Sequence, residues 1–227
     1  MSVVKFQNHC IQAVVFDMDG TLLDTERLRF NVLKQTSLEL FDFEFSDEYL
    51  IGCLGLNEAN TMNWTQKFYG EDFPYWQMRK HARNIEHEHI STHGIAVKEG
   101  VIETLEFLKS QNIQLAVATS SERINAENHL KIAKVLDYFD LLLCGNEVLN
   151  GKPHPEIFSK ASHLLDLDAK DCLMIEDSES GITAARHADG VTVLIQDIKM
   201  PNENMRAMAD YCFETMLDMH TILVNSN

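Results

Sequence analysis

Short apolar runs that stop abruptly at polar residues constrain this chain more than any other feature of it. Ile11 to Phe16 stops at Asp17, and Gln114 to Ala118 stops at Thr119-Ser120-Ser121. Leu141 to Cys144 stops at Gly145-Asn146-Glu147, and Cys172 to Ile175 at Glu176-Asp177-Ser178. A fifth run, Val191 to Ile195, follows Gly190, a residue type that commonly ends helices. Continuous rather than alternating apolar runs are strands buried on both faces, and helix-like sequence between them makes the sheet parallel. The fold class is therefore α/β. Ligands of such sheets bind beyond the carboxyl ends of the strands, which is where the chemically interesting residues of three runs fall.

The stretches between the runs read as helices. Residues 100–110 place Val101, Leu105 and Leu108 on one face. Pro155-Glu156 supply a first turn before Ile157-Phe158, and Leu164-Leu165 continue that stripe. Ser178 or Ser180 is suited to cap a helix through Ile182, Ala184 and Ala185. The segment from Thr25 to His93 breaks the rhythm, with no clear strand and many aromatic and charged residues. Leu28, Val32, Leu33 and then Leu38, Leu40 have helical spacing, and Trp64, Phe68, Tyr69, Phe73, Tyr75 and Trp76 read as its core. We expect an inserted helical domain over 25–93 on an α/β core of 1–24 and 94–227. The tail from Ile198 to Asn227 reads as a short helix plus a final strand.

Charge narrows the partners. With 19 Lys and Arg against 35 Asp and Glu, the formal charge is −16. Such a surface repels nucleic-acid backbones and anionic lipids, so neither is an expected partner. The five cysteines (Cys10, Cys53, Cys144, Cys172, Cys212) form no CxxC pair, which fits a reducing compartment. No leader-like pattern and no apolar run of membrane-spanning length is present, so a cytoplasmic location is expected. A monomer is expected too. His81, His87, His89 and His93 invite a zinc site, but no Cys or carboxylate spacing closes a familiar one around them.

Asp17 and Asp19 stand two apart just past a buried strand, which in extended chain puts both side chains on the same side. Gly20 then lets the backbone turn sharply. Two close carboxylates invite a divalent cation, and differing environments can make one a nucleophile and the other an acid/base. On their own they also fit a plain Asp-rich turn. An EF-hand calcium loop does not fit, because its glycine comes sixth and a Glu twelfth, whereas Gly20 is fourth. Singly, Thr119 or Ser120 reads equally as a helix cap, Lys152 as a solvated loop lysine, and Glu176-Asp177 as carboxylates at a helix start.

Their order changes that reading. Phe16-Asp17-Met18-Asp19-Gly20-Thr21-Leu22-Leu23-Asp24-Thr25, then Thr119-Ser120, then Lys152-Pro153, then Met174-Ile175-Glu176-Asp177-Ser178-Glu179-Ser180-Gly181-Ile182 resembles the haloacid dehalogenase superfamily. The nearest resemblance is to the branch of β-phosphoglucomutase and the sugar-phosphate phosphatases. It implies a Rossmann-like core with an all-helical cap inserted before the second strand. It also implies a Mg2+-dependent phosphatase acting on a small phosphorylated metabolite, foremost a sugar phosphate. By this resemblance Asp17 attacks phosphorus to form an aspartyl-phosphate, and Asp19 serves as acid and then base. Mg2+ would be held by the Asp17 carboxylate, the Asp19 backbone carbonyl and Asp177, with Glu176 in support. Thr119 and the Ser120 amide would bind phosphoryl oxygens, and Lys152 would supply fixed positive charge.

Mutases of that branch carry a His on the first cap helix where this chain has Arg29, and an Arg after a cap-loop glycine near Glu58. A carboxylate there would repel the second phosphate of a bisphosphate intermediate. Hydrolysis is thus favoured, with a phosphotransfer mutase as the alternative and a non-catalytic binding protein third. Leu54-Gly55-Leu56-Asn57 reads as the cap loop facing the nucleophile, Asn57 as a partner for a sugar hydroxyl, and Arg29 as a holder of a second anionic group. Asp24 reads as a helix N-cap.

Overall fold

The computed structural model describes residues 2–56 and 58–227. They form two compact units, one running to Asp24 and resuming over Ala96–Asn227, the other Thr25–Ile95. The first opens with an antiparallel hairpin, β1 (Val4–Phe6) and β2 (His9–Ile11), and passes into β3 (Ala13–Phe16). The second unit holds α1 (Thr25–Phe41), α2 (Asp47–Cys53), α3 (Glu58–Tyr69) and α4 (Tyr75–His93). The first unit then continues through α5 (Val101–Ser110), β4 (Gln114–Thr119), α6 (Arg123–Ile132), β5 (Leu141–Cys144), α7 (Glu156–Leu164) and β6 (Cys172–Glu176). It ends with α8 (Glu179–His187), β7 (Val191–Ile195), α9 (Glu203–Met208), β8 (Tyr211–Phe213) and α10 (Met216–Asn225).

The sheet runs β5-β4-β3-β6-β7-β8, every neighbouring pair parallel. This is the α/β architecture expected, and its central strands are apolar because both faces are covered: every residue of β3, β6 and β7 is buried. Ala13, Val15, Ala116, Ala118 and Met174 pack against Ile157, Phe158 and Ala161 of α7 and Ala184 and Ala185 of α8. Register sets the site. Phe16, the last residue of β3, lies opposite Val117 on one side and Ile175 on the other, so Asp17 emerges beside the carboxyl ends of β4 and β6, which run one or two residues further.

The helical unit has its own core. Phe45, Tyr49, Leu50, Tyr75 and Met78 are buried together with Val32 and Leu33. Ser46 caps α2 by accepting from Tyr49 N–H. The buried Tyr49 hydroxyl pairs with Thr65 Oγ1 at 2.8 Å, which satisfies a polar group that would otherwise be costly there. Among the described residues no helix is long and apolar enough to cross a membrane.

Three expectations are corrected. The buried stripe of α1 continues from Val32 and Leu33 to Thr36 and Ser37, following the helical period, while Leu38 is exposed. Trp76 is also exposed rather than core. Finally, the tail ends on α10, not on a strand: β8 comes before it, and Thr215 and Asp218 form a reciprocal cap that starts this last helix.

Candidate active site

Asp17 stands one residue past β3, and its N–H donates to Ile175 O at 2.9 Å. The chain then folds back tightly: Leu22 and Leu23 N–H both donate to Met18 O at 3.0 Å. Gly20 has φ of +86°, and a Cβ there would collide with the Asp177 carboxylate. Glycine is required twice, for backbone conformation and for space.

Lys152 lies in the loop between β5 and α7, with only 3% of its side chain exposed. Its ammonium donates to Asp17 Oδ1, to Glu176 Oε1 at 2.6 Å and to Ala118 O at 2.8 Å. All three donor directions are used, so this is a fixed charge rather than a solvated lysine. Burial disfavours the ammonium, but Asp17 and Glu176 outweigh it and hold its pKa above the ordinary lysine value. Burial pushes the Asp17 carboxyl up to about 8 against the pull of Lys152, with Glu176 and Asp19 adding to the rise. One ammonium does not balance this many carboxylates; the site has room, electrostatically, for more positive charge.

Glu176 ends β6 and is fully buried. Its second oxygen, Oε2, accepts from Asp177 N–H at 3.2 Å, Ser178 N–H at 3.3 Å and Ser178 Oγ at 3.0 Å. Ser178 caps α8, its Oγ accepting from Gly181 N–H at 3.0 Å, which settles the choice between Ser178 and Ser180. Thr21 donates to Asp177 Oδ1 at 2.9 Å. From β4, buried Thr119 accepts from Ser121 N–H at 3.0 Å, and Ser121 Oγ donates to Asp19 Oδ2 at 2.8 Å. Ser120 between them is exposed.

Asp17, Glu176 and Asp177 bring ligand atoms within 4.8 Å of one another, a grouping found nowhere else among the described residues. Three carboxylate oxygens are the donor set of hard divalent cations. The histidines form no such group, although the His89 and His93 rings stack with centroids 4.7 Å apart. The remaining candidates lie in the helical unit. Arg29 pairs with Glu26 at 2.8 Å and sits 3.7 Å from Glu86. Glu58 takes Arg83 at 2.6 Å, with Arg79 at 3.7 Å, which offsets much of the repulsion expected of a lone carboxylate there. Asn57 lies outside the described residues. Sequence reasoning assigned no role to Thr21, Ser121, Lys98 or Asp197. Thr21 stood inside a motif already singled out and Ser121 in the polar stop after the second apolar run, whereas Lys98 and Asp197 carried no signal.

The haloacid dehalogenase-like hydrolase family matches residues 14–195. A phosphorylated carbohydrates phosphatase of Thermotoga maritima is 31% identical over 178 residues, covering 78% of this chain and 82% of the relative. Pyrophosphatase PpaX of Bacillus mycoides is 29% identical over 220 residues, covering 96% and 99%. Among solved structures, a Thermotoga maritima protein provisionally assigned as a β-phosphoglucomutase superposes with a TM-score of 0.80 at 26% identity, covering 96% of this chain and 100% of that one. With the family match spanning every strand-end residue described above, the chain belongs to the haloacid dehalogenase-like hydrolases and is an enzyme of their phosphatase class.

Proposed function

We propose that this chain is a Mg2+-dependent phosphomonoesterase that hydrolyses a small phosphorylated metabolite, foremost a sugar phosphate, through an aspartyl-phosphate on Asp17. The observation that carries the reading is the Lys152 ammonium held against Asp17 beside the carboxyl ends of β3, β4 and β6. The carboxylate attacks phosphorus, and Lys152, Thr119 and the Ser120 amide take up phosphoryl charge. Asp19, oriented by Ser121, gives a proton to the leaving alcohol and later takes one from the attacking water. Asp17, the Asp19 carbonyl and Asp177 would hold the magnesium ion, which supplies charge neutralisation between nucleophile and phosphoryl group. Glu176 acts in support: its two oxygens are already committed to Lys152 and to the start of α8.

The likeness to a phosphorylated carbohydrates phosphatase supports sugar phosphates. A second substrate, inorganic pyrophosphate, is favoured by the near full-length likeness to PpaX. A steady-state panel of sugar phosphates, phosphoglycolate, nucleotides and pyrophosphate, each with magnesium and with EDTA, decides between them. Phosphate release from a sugar phosphate, lost on chelation and in Asp17→Asn, supports the proposal. Faster turnover of pyrophosphate moves the substrate to the second reading. Isomerised sugar phosphate forming ahead of free phosphate contradicts hydrolysis as the function.

A further inference from the structure

A fifth carboxylate lies beside the cluster, contributed by the loop after β7. A Cβ placed on Gly20 would meet the Asp177 carboxylate and lie 3.1 Å from Asp197 Oδ2. Both acidic groups therefore face the same point of the Asp17–Asp24 turn. The Asp197 side chain is only 6% exposed. Its Oδ1 accepts from Lys98 Nζ at 2.6 Å, and its Oδ2 takes no donor from the described residues. Lys98 is itself anchored to the same turn, its N–H donating to Leu22 O at 3.0 Å.

Although the side chain is largely buried, Asp197 Oδ2 is still open to water, and beside the Asp177 carboxylate it is placed to accept a hydrogen bond from water held there. Magnesium suits such a place, because it surrenders its waters reluctantly and is commonly held partly through them. Loss of a group that supports a metal's ligands from outside typically costs about 10–100-fold in metal affinity or activity. Resting on the magnesium-dependent reading above, we infer that Asp197 is a positioning residue of the cation site. It accepts hydrogen bonds from the cation's bound water beside Asp177, while Lys98 fixes its orientation and neutralises its charge.

The test is calorimetric titration of magnesium into the full chain, together with the melting temperature of each protein in EDTA. Asp197→Asn keeps the acceptor for Lys98 but loses the charge. It is expected to weaken magnesium affinity by about tenfold, the lower end of what loss of an outer-shell partner costs, and to lower the melting temperature in EDTA less than Lys98→Met does, because the hydrogen bond to Lys98 is kept. Lys98→Met is expected to lower that melting temperature yet bind magnesium no more weakly than wild type, because it unmasks a negative charge. Affinity of Asp197→Asn within twofold of wild type overturns the inference. So does an equal loss of affinity in both variants accompanied by equal losses of melting temperature, which would make the pair a structural clamp. Failure of the wild type to bind magnesium would instead contradict the magnesium-dependent reading on which the inference rests.

Discussion

Ser121 Oγ donates to Asp19 Oδ2 over 2.8 Å, joining the loops that leave two neighbouring strands. Ser121 is locked from both sides, since its N–H donates to Thr119 Oγ1 and its carbonyl accepts from Gly145 N–H at 2.9 Å. The hydroxyl thus presents Asp19 in one orientation for proton transfer. Hydrogen bonds to charged groups contribute about 1.5–3 kcal/mol, so Ser121→Ala is expected to lower kcat by roughly tenfold or more. KM should change little, and Ser121→Thr should recover part of the rate. Steady-state kinetics of the two variants checks this.

Lys152 balances two buried acids at once. Removing one partner of a buried ion pair typically costs about 3–5 kcal/mol, and Lys152→Ala strands both Asp17 and Glu176. We expect a loss of that order in urea unfolding, along with loss of activity. Lys152→Arg should not restore either, because a planar guanidinium does not reproduce three donors radiating from one nitrogen.

The raised pKa of Asp17 makes the metal-free protein pH-sensitive in a particular direction. Its carboxyl holds a proton in the folded state up to about 8, whereas in the unfolded chain it loses it near the ordinary value of 3.8. The folded state binds more protons across that window, so stability falls as pH rises through it. Melting temperatures in EDTA are expected to decline between pH 5 and pH 8, in the window that these two values set, and Asp17→Asn should flatten the decline. Magnesium should flatten it as well, by stabilising the carboxylate.

Gly181 lies under the Glu176 carboxyl group, and a Cβ there would occupy the same space. Gly181→Ala therefore forces Glu176 to move and takes Lys152 with it. Overpacking of this kind costs about 1–3 kcal/mol. Because the displaced groups hold the nucleophile, activity should fall further than stability does, which paired measurements of kcat and urea midpoint would reveal.

The strands of the core were legible because burial on both faces leaves them mostly apolar, with polar residues chiefly at their ends and Thr192 alone inside β7. β5 and β7 fall where the runs Leu141–Cys144 and Val191–Ile195 stand. The hairpin of β1 and β2 was not legible: three residues a side, with His9 and Cys10 among them, carry too little pattern to separate from a loop. α10 was hidden for a different reason, since its start depends on a cap formed by Thr215 and Asp218 rather than on a strong apolar stripe. In the site, the residues that end strands could be found from where the runs stop. Ser121 with Asp19, and Lys98 with Asp197, pair across about a hundred positions of chain. Only the sheet order brings such residues together, and no local spacing encodes it.

The proposed chemistry turns on Asp17 carrying the phosphoryl group. During turnover of a reactive sugar phosphate with magnesium, the enzyme is quenched in acid and reduced with borohydride, which converts an acyl phosphate to an alcohol, and its peptides are then sequenced by mass spectrometry. Homoserine is expected at position 17 in the turning-over enzyme, and unchanged Asp17 when substrate is omitted. Steady phosphate release with residue 17 intact, or with the label on another carboxylate, would contradict it.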